Sequence, residues 1–215
     1  MTEEIDLLLR VKEWFDNLID NGIKCVAFDF DKTLINIHTG HQISAGSHDI
    51  LRTLSWDSTR KLELIPLEFP VSIEYFSIPI RDLVNLLIKL YTNGIKIAIT
   101  SFGHAFLIKA YLNTLPYDLS LMFNSNNIIT PSKFVISRGS FVLKESCIDP
   151  ECVPILDFSE TLGDKNPMLH LLEEQYHFSP DQIVLFDDSI RNITNARREG
   201  FRAVHTPDGF KLQTL

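Results

Sequence analysis

The chain has 215 residues, 45% of them hydrophobic, a formal net charge of −8 and three cysteines. This length suffices for a substantial core in one domain, and the acidic balance argues against nucleic acid as a partner, because binding a phosphate backbone relies on clustered Lys and Arg that displace counterions. No apolar run approaches the roughly 18 residues of a membrane span, and Cys25, Cys147 and Cys152 lack the C-x-x-C spacing of zinc or redox sites.

The N-terminal stretch "MTEEIDLLLRVKEWFDNLID" has neither a basic n-region nor a small-residue cleavage site, so the expectation is a soluble cytoplasmic protein with no membrane partner. Residues 3 to 20 place Ile5, Leu8, Leu9, Phe15, Leu18 and Ile19 at helical intervals, and Asn21-Gly22 supplies a stop. "IKCVAFDF" then reads as a strand that opens on Cys25, a small buried hydrophobe, and runs out into Asp29 and Asp31. The segment from Asn36 to Ser77 breaks the pattern, with at most one short helix near His48 to Leu54, and reads as a flap. His38, His41 and His48 lie in it as H-x2-H-x6-H; no helix or hairpin frames them as a metal site, so they read as flap residues.

Asp82 to Tyr91 is predicted helical, Asn93-Gly94 ends that helix, and Ile95 to Thr100 forms a strand, so "NGIK" serves twice as a helix-to-strand junction. Gly103 to Leu115 reads as a helix and "LSLMFN" as a short apolar run; in the irregular stretch after it, "KFVISRGSFVLK" suggests a hairpin. Asn166 to Tyr176 is a helix, "QIVLFDD" a strand, Ile190 to Glu199 a helix ended by Gly200, and "FRAVHT" the last strand. "ARREG" and Arg202 form a basic patch at a helix end, read as a solvated face. His104 follows Thr100-Ser101 and reads equally as a residue at the margin of a site there or as one at a helix start.

Strands alternating with helices imply an α/β, Rossmann-like three-layer fold, with a central parallel sheet covered on both faces and a small flap or minimal cap. The expected organisation is a single domain over 1–215 with irregular insertions at about 36–77 and 128–163. In such sheets ligands sit beyond the carboxyl ends of the strands. Asp29, Asp31, Thr100, Ser101, Asp187 and Asp188 all fall at or just after predicted strand ends.

Two carboxylates one residue apart at a strand end can divide the labour, one attacking as a nucleophile while the other, holding a proton, serves as acid and then base. Charges that close repel, and a hard divalent cation such as Mg²⁺ relieves them; Asp187 and Asp188 could supply its remaining ligands. A transferring phosphoryl group also needs donors and a fixed cation. Thr100-Ser101, just before a helix, offers a hydroxyl and backbone N–H groups, and Lys165 in "GDKNPML" offers the charge.

"DFDKTL", "ITS", "DK" and "LFDDS" resemble, in order and approximate spacing, the four motifs of the haloacid dehalogenase (HAD) superfamily of phosphohydrolases. The resemblance spans about Val26 to Val204, and "LFDDSIRNITNARREGF" is most similar to the capless magnesium-dependent phosphatases, where an Asn stands at the position of Asn192. Lys32 stands where the superfamily often has Gly. The resemblance implies Asp29 as nucleophile, forming an aspartyl-phosphate, and Asp31 as acid/base; a dehalogenase would lack that second carboxylate. Thr100, with the Ser101 backbone, would bind phosphoryl oxygens, and Lys165 would steady phosphate and Asp29. Asp29, the Asp31 carbonyl and Asp187 would hold Mg²⁺, with Asp188 and Asn192 completing or orienting the shell.

The expected activity is hydrolysis of a phosphomonoester, from a phosphorylated small molecule or a phosphoprotein. A phosphotransferase or phosphomutase would use the same groups, and a noncatalytic HAD-like binding protein would keep the fold alone. A two-component receiver domain shares the residue types, but its acidic pair comes first in the chain, whereas here the pair comes last.

Overall fold

The computed structural model describes residues 2–42, 67, 70–116, 122–137, 140–146, 153–154 and 163–212. Helix α1 (Thr2–Asp20) buries Val11, Trp14, Phe15 and Leu18, the i, i+3, i+4, i+7 stripe of an amphipathic helix. It stops at Asn21-Gly22, where Gly22 takes φ 73° and the Ile23 N–H reaches back 3.0 Å to the Leu18 carbonyl. Helix α2 (Ile80–Thr92) ends the same way: Gly94 has φ 77° and the Ile95 N–H bonds the Leu90 carbonyl at 3.1 Å. The repeated "NGIK" is therefore one cap geometry used twice, the left-handed glycine letting the chain turn from helix directly into strand.

The strands that follow are β1 (Cys25–Phe28) and β2 (Lys96–Thr100). Helix α3 (Ala105–Leu112) comes next, shorter than expected at both ends, with His104 as its N-terminal cap residue. Beyond it the main sheet takes a two-residue strand, β3 (Ile128–Ile129); of the apolar run at 119–124, Met122 and Phe123 pack into the core from a turn. Asn127 fixes the turn, its buried amide donating to the Ile97 carbonyl at 2.8 Å.

The expected hairpin is β4 (Phe134–Ser137) against β5 (Ser140–Leu143), and β6 (Val153–Pro154) joins β4 on its other side to make a three-stranded antiparallel sheet. Helix α4 (Asn166–Tyr176), β7 (Ile183–Asp187), α5 (Ile190–Arg198) and β8 (Arg202–His205) follow as the sequence predicts. The expected helix near 48–54 lies outside the described residues, as do His48, Cys147 and Cys152. Thr39–Gln42, which contains His41, is a short 3-10 helix. The base of the flap segment is closed by an antiparallel bridge between Ile35 and Phe76.

The main sheet is parallel throughout, in the order β3-β2-β1-β7-β8. Alternate residues divide between its two faces. Val26, Phe28, Ile97, Ile99, Val184 and Phe186 pack with α1, α2 and α3; Cys25, Ala27, Ala98, Ile183 and Leu185 pack with α4 and α5. The first face is aromatic: Phe28, Phe186 and Phe210 meet at ring separations of 5.0 to 5.6 Å, with Trp14 at 5.9 Å. Burying side chains of this size contributes about 1.5–3 kcal/mol each. Cys25, expected as a buried hydrophobe, is fully buried and its thiol is pushed up to about 12 by burial.

Candidate active site

Register places the polar strand ends side by side. Phe28 pairs with Ile99 on one side and Phe186 on the other, so the next residues, Asp29, Thr100 and Asp187, stand in a row across β2, β1 and β7. The Asp29 N–H continues the ladder by bonding the Phe186 carbonyl at 2.8 Å. All three share the parity of the residues that face α4 and α5. The start of α4 is thus the element placed to meet them.

It meets them with Lys165. This lysine is 1% exposed; its Nζ lies 2.6 Å from Asp187 Oδ2, makes a still closer ion pair with Asp29 Oδ1, and sits 5.7 Å from the centre of the Phe102 ring. Its position is set from below by Asp164, whose Oδ1 accepts from the Asn166 N–H at 2.9 Å and whose Oδ2 accepts from Asn195 Nδ2 at 2.8 Å, pinning the start of α4 to α5. Asn192 donates its amide to both Asp187 oxygens, at 3.0 and 3.1 Å, and the Ser189 N–H donates to Asp187 Oδ1 at 2.8 Å.

One buried cation between two buried carboxylates does not neutralise them. Burial raises Asp29 well above the usual carboxylate range; Lys165 opposes the shift and Asp187 adds to it. For Lys165 burial pulls the other way, but the charges of Asp187 and Asp29 outweigh it and hold the ammonium. Asp188, half-buried, is also raised, by burial and then by Asp187. Oxygens of Asp29, Asp187 and Asp188 lie within 4.8 Å of one another, a hard-donor set with surplus negative charge that fits a small divalent cation.

After Asp29 the chain leaves the sheet. Lys32 has φ 58°, the left-handed backbone that glycine adopts most readily, and its N–H bonds the Ile37 carbonyl at 3.2 Å. This bend separates the two motif aspartates. Asp31 does not join the carboxylate cluster through its side chain: its Oδ2 accepts from Thr39 Oγ1 at 3.1 Å and lies 3.2 Å from His38 Nδ1, while Oδ1 is buried with no partner among the described residues. The hydroxyl of Thr100 is likewise buried, with no partner among the described residues. Thr33 reaches Asp29 Oδ2 at 3.4 Å.

Ser101 departs from expectation. Its backbone N–H is committed to the Ile129 carbonyl at 3.0 Å, because β3 pairs there, and its hydroxyl accepts from the Gly103 N–H at 3.0 Å. Its amide is thus spent on the sheet. The basic patch also differs: Arg197 is not merely solvated but donates through Nε and Nη2 to the Ala203 carbonyl, at 3.1 and 2.7 Å. Thr39 escapes the sequence reading, and Asp164 and Thr33 fall within its motifs without a role assigned to them, although an Asp two residues before Asn166 at a helix start is a capping signal.

Neither a family model nor a curated protein sequence matches the chain. Solved structures with a similar arrangement include the phosphatase-domain-containing N-terminal part of a Bacteroides fragilis protein, complexed with Mg, at 14% identity and TM-score 0.47; the match covers 86% of this chain but only 36% of that one. A HAD family enzyme from Bacteroides thetaiotaomicron, in complex with magnesium and inorganic phosphate, matches at 15% identity and TM-score 0.43 over 85% of this chain and 93% of its own. The HAD domain of the Legionella pneumophila effector Lem4 matches at 18% identity and TM-score 0.44, over 88% and 90%.

Proposed function

We propose that the chain is a Mg²⁺-dependent phosphatase of the HAD type, hydrolysing a phosphomonoester through an aspartyl-phosphate. The observation that carries this reading is the buried Lys165 held between Asp29 and Asp187, together with a Thr100 hydroxyl and an Asp31 oxygen that have no partner among the described residues. Buried polar atoms are rarely left unsatisfied, and such exceptions call for an explanation; a bound phosphoester supplies one.

In this reading a carboxylate oxygen of Asp29 attacks phosphorus and Asp31 protonates the departing oxygen. Lys165 and the Thr100 hydroxyl hold the outer phosphoryl oxygens, whose charge grows during transfer. Asp31, now a carboxylate, then takes the proton of the water that cleaves the aspartyl-phosphate. Asp29, Asp187 and Asp188, with the Asp31 carbonyl, would hold Mg²⁺, and Asn192 orients Asp187. When bound, the ion supplies positive charge against the carboxylates and the phosphoryl oxygens. The substrate is a phosphorylated small molecule or a phosphoprotein; the net charge of −8 disfavours nucleic acid.

The test is release of phosphate from p-nitrophenyl phosphate. Asp29→Asn should fall to background with its fold intact, and chelation of Mg²⁺ should silence the wild type; full activity of Asp29→Asn would refute the assignment of the nucleophile. Capture of the phosphoryl group by added alcohols, at the expense of free phosphate, would instead mark a phosphotransferase.

A further inference from the structure

The flap segment returns to the site with Thr39. Its side chain is completely buried, and its hydroxyl donates to Asp31 Oδ2, the oxygen that His38 also approaches. The opposite carboxyl oxygen, Oδ1, is the one without a partner among the described residues. Gly103 closes on the same spot from the loop after β2: a Cβ at that position would lie 3.2 Å from Thr39 Oγ1, 3.1 Å from Ser101 Oγ and 3.8 Å from Asp31 Oδ2. A side chain at Gly103 would crowd both hydroxyls, so the loop after β2 packs closely against Thr39.

We propose that Thr39 is the positioning residue for the acid/base Asp31. A hydroxyl that donates to Oδ2 fixes the plane of the carboxyl group and leaves Oδ1 as the oxygen with no protein partner among the described residues. The inference rests on the phosphatase reading above. As an Asp29 oxygen bonds to phosphorus and the ester P–O bond breaks, the proton of the Asp31 carboxyl group passes to the departing oxygen. When water attacks phosphorus and the bond to Asp29 breaks, Asp31 recovers a proton from that water and inorganic phosphate leaves. Without the Thr39 hydroxyl Oδ2 keeps, among the described residues, only the half-exposed His38 as a partner, the carboxyl group is held less firmly, and the loss is felt in proportion to how much the leaving group needs a proton.

The experiment measures kcat/KM for dinitrophenyl, p-nitrophenyl and phenyl phosphate with wild type, Thr39→Val, Thr39→Ala and Thr39→Ser. Thr39→Val should stay within about threefold of wild type on the dinitrophenyl ester and fall roughly 10- to 100-fold on the phenyl ester, with Thr39→Ser restoring most of the loss. Thr39→Ala should reproduce the Val slope. The readout is the slope of log kcat/KM against leaving-group pKa, which a partly folded preparation still reports. An equal loss on all three esters, no loss on phenyl phosphate, or a failure of Ser to restore would overturn the assignment and leave Thr39 a packing residue. A wild type that turns over none of the esters would fail at the phosphatase reading itself, and the role of Thr39 would fall with it.

Discussion

Asp29 occupies a site that disfavours its own charge. It is 6% exposed, and although Lys165 is paired with it, burial and the neighbouring Asp187 leave its carboxyl well above the ordinary range. A carboxyl whose folded pKa is raised favours the fold while protonated, below its unfolded value near 3.8, and loses that contribution as pH rises through the folded value. Asp29→Asn cannot ionise. In metal-free protein its melting temperature should therefore gain on wild type as pH rises from about 4 to 8, by thermal denaturation in the presence of chelator. A variant that instead loses ground with rising pH would mean that the ion pair with Lys165 outweighs burial. At this scale Asp29, Thr100 and Asp187 were legible because a polar residue ending an apolar run has few structural reasons to be there. Lys165 was legible as a cation ahead of a helix and through the order of the motifs, and Thr39 not at all, since a lone threonine in an irregular segment has no period or spacing to read.

Elements were most legible where periodicity was long. The extents of α1 and α2 and both "NGIK" junctions follow from spacing and one left-handed glycine each, although on α1 Leu8, Leu9 and Ile19, read as part of the apolar face, are exposed, and Val11 and Trp14 are buried in their place. β3 was not readable, because two residues carry no alternation and its place is fixed by Asn127 and the edge of β2. One link between elements has a measurable pH dependence. His170 on α4 bonds Glu173 Oε2 through Nδ1 at 2.8 Å and Glu199 Oε2, at the end of α5, through Nε2 at 2.5 Å, with Phe201 at 5.2 Å across its ring. Burial pulls its pKa down, but the hydrogen bonds to the two glutamates and their charges outweigh it, so the net shift is upward. Its contribution is complete below pH 6.5 and is lost as pH rises through the higher folded value. The side chain is half exposed, which keeps the pair below about 1 kcal/mol. His170→Gln should accordingly lower the melting temperature slightly at pH 6 and not at all at pH 9. An equal loss at both would assign the effect to packing against Phe201.

For the molecule as a whole, the order β3-β2-β1-β7-β8 brings together strands far apart in sequence, since β1 lies between two neighbours that follow it by more than a helix each. That adjacency turns four sequence fragments into one site, and no spacing rule on the chain contains it; the expectation of a parallel sheet with ligands at its carboxyl end was enough to name the fragments, not to seat Lys165 between them. The same adjacency makes metal binding a property of the entire fold. Asp29 leaves β1 and Asp187-Asp188 leave β7, so a cation held by all three binds the folded chain and not the unfolded one. Free Mg²⁺ at a hundredfold excess over its Kd should then stabilise the protein by about 2.7 kcal/mol, roughly 5–10 °C in melting temperature for a chain of this length. Asp187→Asn removes a carboxylate while keeping an acceptor for Lys165, and should melt cooperatively with most of that shift gone. A wild type whose melting temperature ignores Mg²⁺, or a variant that responds as fully, would place the cation elsewhere and leave the surplus charge of the cluster to be balanced by substrate contacts alone.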